Sequence, residues 1–239
     1  LGFVPLREAI KARDRGAVDA LLSRHPDLAR AADALGNTGL HWAVLTRQLD
    51  LIDRFIDLGV AIDAPRADGQ TPLMVSVNGD YWYRWARDLS SKAIRDPAVI
   101  TGYLLARGGS VTLGMAAAMG DVERMEKILA ADPAAINRPD AQDASVLYYA
   151  ARSGRAPIVQ MLLECGADPN RPEHAAPRGR ALHEAASKNE VEMVRALLDA
   201  GADPNGEVDS SGNARYINQL MHPDRCEAVQ QLLQARGAY

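Results

Sequence analysis

The chain has 239 residues, of which 47% are hydrophobic and 5% aromatic, and its 27 basic and 31 acidic side chains give a formal net charge of −4. This charge argues against a nucleic-acid-binding protein, because such proteins neutralise phosphates with Lys and Arg. No apolar run reaches the roughly 20 residues that a helix needs to cross a bilayer. The composition therefore predicts no nucleic-acid partner and no membrane span.

The same pattern of residues recurs along the whole chain. It is clearest in 145–170 and 180–205, where each copy has an Ala-Ala pair, a polar break, an amphipathic stretch and then Gly-Ala-Asp-Pro-Asn. Successive copies start near Val4, Thr38, Thr71, Val111, Ser145, Arg180 and Ala214. A helix pair of this kind cannot bury its apolar face alone, so the repetition predicts stacked helical units.

The openings and endings of the units identify the kind of repeat. Thr38-Gly39-Leu40-His41 and Thr71-Pro72-Leu73 open two units, and Gly-Ala-Asp-Pro-Asn ends the units at 166–170 and 201–205. These motifs resemble the ankyrin repeat, which opens on Thr-Pro-Leu-His. The resemblance implies that Thr caps the inner helix, that Pro fits its first turn and that His binds nearby backbone. It covers nearly the whole chain.

The fold class that follows is all-α. We expect an ankyrin-repeat solenoid of stacked helix-turn-helix units with short β-hairpin loops. It has about seven units including degenerate terminal caps, and forms a single domain over 1–239. The fourth unit departs from the pattern in two ways. Gly114 stands where His is expected, and Ser110 and Val111 alone separate this unit from Gly109, which leaves a gap in the row of hairpins.

The third unit contains an insertion within about 78–96. Tyr81, Trp82, Tyr83 and Trp85 are concentrated there, and the pattern predicts a helix from Tyr81 to Ile94, followed by Asp96 and Pro97 as the cap and first residue of the outer helix. Two interpretations are open. The aromatic side packs onto the repeats and fills the gap before Val111, or it is a binding hot spot, since Tyr, Trp and Arg dominate such sites.

The sequence holds no motif for catalysis, a cofactor or a metal. Its five histidines show no helical zinc spacing, and no CxxC, HExxH, P-loop or G-x-G-x-x-G after a strand occurs. We therefore expect a protein that is not an enzyme and has no cofactor. Cys165 and Cys226 lie far apart in the sequence, which favours free thiols and a reducing, cytoplasmic location. The residues shown include no signal peptide.

The resemblance implies a non-catalytic scaffold that binds a partner protein through its concave face, through the aromatic insertion, or through both. The alternative is a structural repeat protein that forms a homo-oligomer through exposed aromatics, although we expect a monomer. The identity of the partner is not predicted. The residues expected to contact it lie just before each inner helix, near its end or in the insertion: Leu35, Asn37, Gln70, Asn78, Tyr81, Trp82, Trp85, Gln142, Arg152, Arg178, Arg180 and Lys188.

Overall fold

The structure is a computed structural model that describes residues 2–78, 90–174, 176 and 179–239. It contains two compact units, Leu1–Val111 and Thr112–Tyr239, called here the N-terminal unit and the C-terminal unit. Both are built from pairs of one inner and one outer helix. In the described ranges, no helix combines the length and the apolar character that crossing a membrane requires. Both cysteines are free thiols, with Cys165 exposed and Cys226 half-buried.

The N-terminal unit has six α-helices in its described part. In chain order, α1 to α6 span Val4–Ala12, Arg15–Arg24, Gly39–Leu45, Leu49–Asp57, Pro72–Asn78 and Pro97–Ala106. The inner helices α1, α3 and α5 each pack on the outer helix that follows, and α3 packs on both other inner helices. All residues of α3 are buried, so this short apolar run forms the centre of the core.

The C-terminal unit has eight α-helices in the residues that the structure describes. In chain order, α7 to α14 span Leu113–Met119, Val122–Ala131, Val146–Arg152, Ala156–Glu164, Arg180–Ser187, Val191–Asp199, Ala214–Met221 and Glu227–Ala235. The inner helices α7, α9, α11 and α13 stack in chain order, and so do the outer helices α10, α12 and α14. The Ala pairs seen in the sequence, Ala150-Ala151 and Ala185-Ala186, are fully buried where the inner helices meet.

Five inner helices begin with the same cap. A side-chain oxygen accepts a hydrogen bond from the backbone N–H three residues further on, which satisfies one of the free donors of the first turn. The capping residues are Thr38, Thr71, Thr112, Ser145 and Asn213. The cap of α7 is Thr112, next to Val111, near which the sequence places the start of this unit.

Asparagine side chains hold successive repeats of the C-terminal unit in register. Each donates its side-chain N–H to the carbonyl of the glycine that ends the next outer helix, and accepts from the N–H two residues after that glycine. The sets are Asn137 with Gly166 and Asp168, Asn170 with Gly201 and Asp203, and Asn205 with Gly237 and Tyr239, at 2.7–3.1 Å. This explains why Asn closes the Gly-Ala-Asp-Pro-Asn motif.

The loops between repeats are closed by side chains more than by strand pairing. In the described residues they hold single β-bridges, Ala32 with Thr38, Glu173 with Ala176 and Glu207 with Asn213. The expected β-hairpins are reduced to these single pairs because aspartates bind the loop N–H groups. Asp33 accepts from the backbone of Leu35 and Asn37, and Asp140 from that of Gln142 and Ala144.

The insertion differs from its prediction where it is described. The predicted helix Tyr81–Ile94 is wrong over its last five residues, because 90–94 form a turn. The backbone N–H of Ala93 bonds to the Ser90 carbonyl, and the buried guanidinium of Arg47 donates to the carbonyls of Ile94 and Arg95. In a helix that ended at Ile94 the last carbonyls would have no partner within the helix, so Arg47 supplies one for the chain that leads into α6.

The start of α6 is as predicted from Asp96 and Pro97. The Asp96 side chain accepts from the backbone N–H of Ala98 at 2.9 Å, and Pro97 is the first residue of the helix. The rest of the insertion, 79–89, lies outside the described residues.

Candidate partner-binding surface

Leu35 and Asn37 occupy the same loop but differ in their environment. Leu35 is 45% exposed, as a contact residue should be. Asn37 is 1% exposed, donates to the carboxylate of Asp33 and accepts from Arg66 at 3.1 Å. Its amide is therefore occupied within the loop, and the expectation that it contacts a partner is corrected. A short polar residue before a helix looks the same in sequence whether it faces solvent or binds a half-buried aspartate of its own loop.

Gln70 is corrected for the same reason. It is 8% exposed, and its side-chain Nε2 donates to the Asp68 carboxylate at 3.4 Å. Its backbone carbonyl accepts from the His41 ring. Asn78 is the last residue of α5. Tyr81, Trp82, Trp85 and Arg178 lie outside the described residues.

Helix α9 brings three of the C-terminal unit's side chains together into what we call the Tyr148 cluster: Tyr148, Arg152 and Arg180. The guanidinium carbon of Arg180 lies 4.5 Å from the centre of the Tyr148 ring, and that of Arg152 lies 5.7 Å away. Arg152 is exposed and also donates to the Tyr148 hydroxyl. Two guanidinium groups on one ring form a cationic site with a flat apolar base.

A buried carboxyl lies next to this cluster. Glu173 is 7% exposed, and its carboxylate lies 3.7 Å from the guanidinium of Arg180. Burial raises the pKa of Glu173, while hydrogen bonds from Ser145 and the charge of Arg180 act in the opposite direction. Arg180 also donates to the His174 backbone carbonyl at 2.9 Å, so contacts with Glu173 and His174 together hold its guanidinium in place.

Arg180 stands where other units carry a capping residue. In the register of the other units, this position carries the capping Thr or Ser, yet α11 begins after Gly179 with no side-chain cap. His183, at the position of His41, is 7% exposed, and neither ring nitrogen meets hydrogen-bonding geometry within the described residues. Burial lowers its pKa, so the ring is neutral.

The other two expected contacts in the described part of this unit are Lys188 and Gln142. Lys188 is exposed at the end of α11. Gln142 is half-buried, and its backbone N–H donates to Asp140 at 2.8 Å. Neither contacts Tyr148, Arg152 or Arg180 through a described hydrogen bond or ion pair.

Sequence reasoning did not select the aromatic residues beneath the charges. Tyr148 is 8% exposed, so its ring reads as core until its neighbours are known. In the N-terminal unit, Trp42 is in a similar position, with the charged ends of Arg7 and Lys11 each 5.9 Å from its ring. The spacing of Arg7 and Lys11 along one helix was visible in the sequence, but their pairing with Trp42 was not.

The described residues contain no group of three or more His, Cys, Asp or Glu side chains arranged to hold a metal ion. What the surface presents is charge, hydrogen-bond donors and aromatic rings, which are the means of recognising a polypeptide.

Comparison with known proteins agrees with this architecture. A family model described as ankyrin repeats (3 copies) matches residues 103–173, and one described as ankyrin repeat matches residues 181–209. Among solved structures, the human ASB11 ankyrin repeat domain is similar, with a TM-score of 0.50 and 22% identity over 98% of this chain and 98% of that chain. At this identity, the structural likeness concerns the fold.

Residues 103–173 and 181–209 therefore carry ankyrin repeats, and the fold of the chain is an all-α ankyrin solenoid. Ankyrin repeats are generally protein–protein interaction modules.

Proposed function

We propose that this protein is a non-catalytic scaffold that binds an acidic segment of a partner protein at the Tyr148 cluster. In this proposal its seven repeats form one domain. Leu35, Lys188, Arg178 and the aromatic insertion with Tyr81, Trp82 and Trp85 remain proposed as further contacts. The observation that carries the proposal is the pair of guanidinium groups, from Arg152 and Arg180, on one tyrosine ring.

The chemistry of the cluster favours a carboxylate. Arg152 uses one N–H on the Tyr148 hydroxyl, and its planar group keeps donors that match the two oxygens of a carboxylate. Glu173 partly offsets the charge of Arg180 but is buried beneath the surface. An incoming Asp or Glu therefore meets two cations in a preformed arrangement, which lowers the entropic cost of binding.

Replacing both cationic residues, with Arg152→Gln and Arg180→Thr, is expected to weaken binding of an acidic peptide at least about tenfold, since each charge-assisted bond contributes about 1.5–3 kcal/mol. Removing Arg180 also takes the charged partner from buried Glu173, so melting temperatures measured by circular dichroism must show that the double variant is folded. The probe is a fluorescein-labelled peptide of Glu, Gly and Ser, measured by fluorescence anisotropy at low salt.

The control is Arg195→Gln, which removes a half-exposed arginine from the outer helix α12 of the same unit. It should leave affinity unchanged. Equal affinity in the double variant and the wild type, or no binding of the probe to the wild type, contradicts the proposal. Co-purification from the native host with mass spectrometry then identifies the partner.

A second candidate function is self-assembly, which is favoured by the last inner helix. Tyr216, Leu220 and Met221 of α13 are 57–61% exposed. The other inner helices of this unit, α7, α9 and α11, bury most of their apolar side chains. If this face joins copies of the chain, light scattering should show a mass that rises with concentration, and Leu220→Ser should abolish the rise. A constant monomer mass at all concentrations rules this candidate out.

A further inference from the structure

The C-terminal unit contains a cavity of about 290 Å³ beside the ring of Tyr149, called here the Tyr149 cavity. Its walls are mainly apolar and include Leu113, Ile128, Ala135 and Val146. An apolar cavity of about 150 Å³ already holds benzene, so this space accommodates one large apolar side chain.

The sequence explains why this space is open. Ser110 and Val111 are the only residues between Gly109 and the cap Thr112, so the chain supplies no hairpin before α7. At Gly114, two residues after the cap Thr112, an added Cβ would lie 2.5 Å from the ring of Tyr149. The glycine thus makes room for the tyrosine ring, which forms one wall of the cavity.

That wall is held rigidly. The Tyr149 hydroxyl donates to Asp140, whose other oxygen accepts from the backbone of Gln142 and Ala144 at 2.8 and 2.9 Å. Burial and the neighbouring Asp140 raise the pKa of Tyr149, so the hydroxyl stays a neutral donor. A preformed wall costs a ligand little ordering entropy.

The charged groups around the cavity are already engaged. Asp132 pairs with Arg138, and Asp140 accepts three hydrogen bonds. A charged ligand group would gain little from these residues, whereas an apolar group would gain from leaving water. The cavity therefore selects an apolar side chain.

The Tyr149 cavity and the Tyr148 cluster are neighbours. Tyr148 and Tyr149 are consecutive in α9, with ring centres 5.2 Å apart at an interplanar angle of 61°. One ring supports Arg152 and Arg180, and the other lines the cavity. An extended chain advances about 3.4 Å per residue, so a peptide reaches from one to the other within a few residues.

We propose that the Tyr149 cavity binds a large apolar side chain of the partner, a few residues from the acidic residue that pairs with Arg152 and Arg180. This inference rests on the proposed function and adds to it a short motif of one apolar and one acidic residue.

The test compares two matched sets of fluorescein-labelled peptides of Glu, Gly and Ser. In one set a leucine stands two, three or four residues to either side of a Glu pair, and in the other set that leucine is serine. For the wild type, the best leucine peptide should bind at least tenfold more tightly than its serine partner.

Ala135→Leu, which fills the cavity, should remove this difference and leave the affinity for the serine peptide unchanged. The control is Ala134→Leu, because Ala134 is exposed in the same turn and does not line the cavity. It should keep the preference for leucine. Melting temperatures of both variants by circular dichroism establish that each is folded.

Equal binding of leucine and serine peptides, still dependent on Arg152, overturns this inference and leaves the proposed function standing. A leucine preference that survives Ala135→Leu also overturns it, because the leucine then binds elsewhere. If no acidic peptide binds, the proposed function fails and this inference fails with it.

Discussion

Replacing Gly39 by alanine is expected to lower the free energy of unfolding by about 1–3 kcal/mol, although alanine is the better helix former. An added Cβ would lie 2.2 Å from Cζ and 2.3 Å from Cε1 of Phe55. Phe55 is fully buried, so its ring has no room to move away. Pro at this position, as the repeat motif prefers and as Pro72 provides in the next unit, should also destabilise.

The matched control is Gly102→Ala in α6 of the same unit. Nothing lies within 4 Å of a Cβ added there, so the change should stabilise by about 0.5–1 kcal/mol through helix propensity. Denaturant unfolding of the two variants should therefore give shifts of opposite sign. Stabilisation by Gly39→Ala would mean that Phe55 packs elsewhere.

Acid is expected to weaken the N-terminal unit through His41. Thr38 donates its backbone N–H to Nδ1 of His41, so the ring proton sits on Nε2 and is donated to the Gln70 carbonyl at 3.2 Å. Burial lowers the pKa of His41 to about 4, although the bond to Gln70 acts in the other direction. A second proton would go on Nδ1, which accepts the hydrogen bond from the Thr38 backbone N–H. The charged ring would therefore lose this bond.

The pH dependence follows from this pKa. The unfolded chain takes up the proton near pH 6.5, while the folded chain resists until about pH 4. Stability is therefore lost as pH falls from about 6.5 towards about 4, by roughly 2.5 kcal/mol at about pH 4.5. Urea unfolding at about pH 7 and about pH 4.5 measures this loss.

In His41→Gln, the loss between these two pH values should shrink by about 2–3 kcal/mol, since glutamine does not titrate. The variant should be less stable than wild type at neutral pH, because the two bonds of the ring are disturbed. His174→Gln changes an exposed loop histidine and should keep the wild-type dependence. An equal acid loss in His41→Gln and the wild type would place the titrating group elsewhere.

The sequence was sufficient for the repeat and its local signals. The recurrence of Ala-Ala and Gly-Ala-Asp-Pro-Asn placed the helix pairs, and Thr38, Thr71 and Ser145 marked helix starts that the structure confirms. These signals act between residues a few positions apart, where the choice of backbone conformation depends on the residue itself. Arg152 and Arg180 were found in the same way, from their position next to the inner helices.

Tertiary structure decided which of these polar residues face solvent. Asn37 and Gln70 matched the expected surface positions, yet both are buried. Arg66 donates to the Asn37 side chain and the His41 ring bonds to the Gln70 backbone carbonyl, each across 29 positions. Within the insertion, distant Arg47 binds the carbonyls of Ile94 and Arg95, a contact that the sequence did not mark.

The same holds for the parts of the candidate site that the sequence did not mark. Tyr148 and Tyr149 carry apolar rings that any core position would accept, and their separate roles arise from Arg180 on one side and Gly114 on the other. Each contact joins residues about 30 positions or more apart. Burial and pairing at such separations depend on how whole repeats stack, and a single sequence records the residues but not the distances between them.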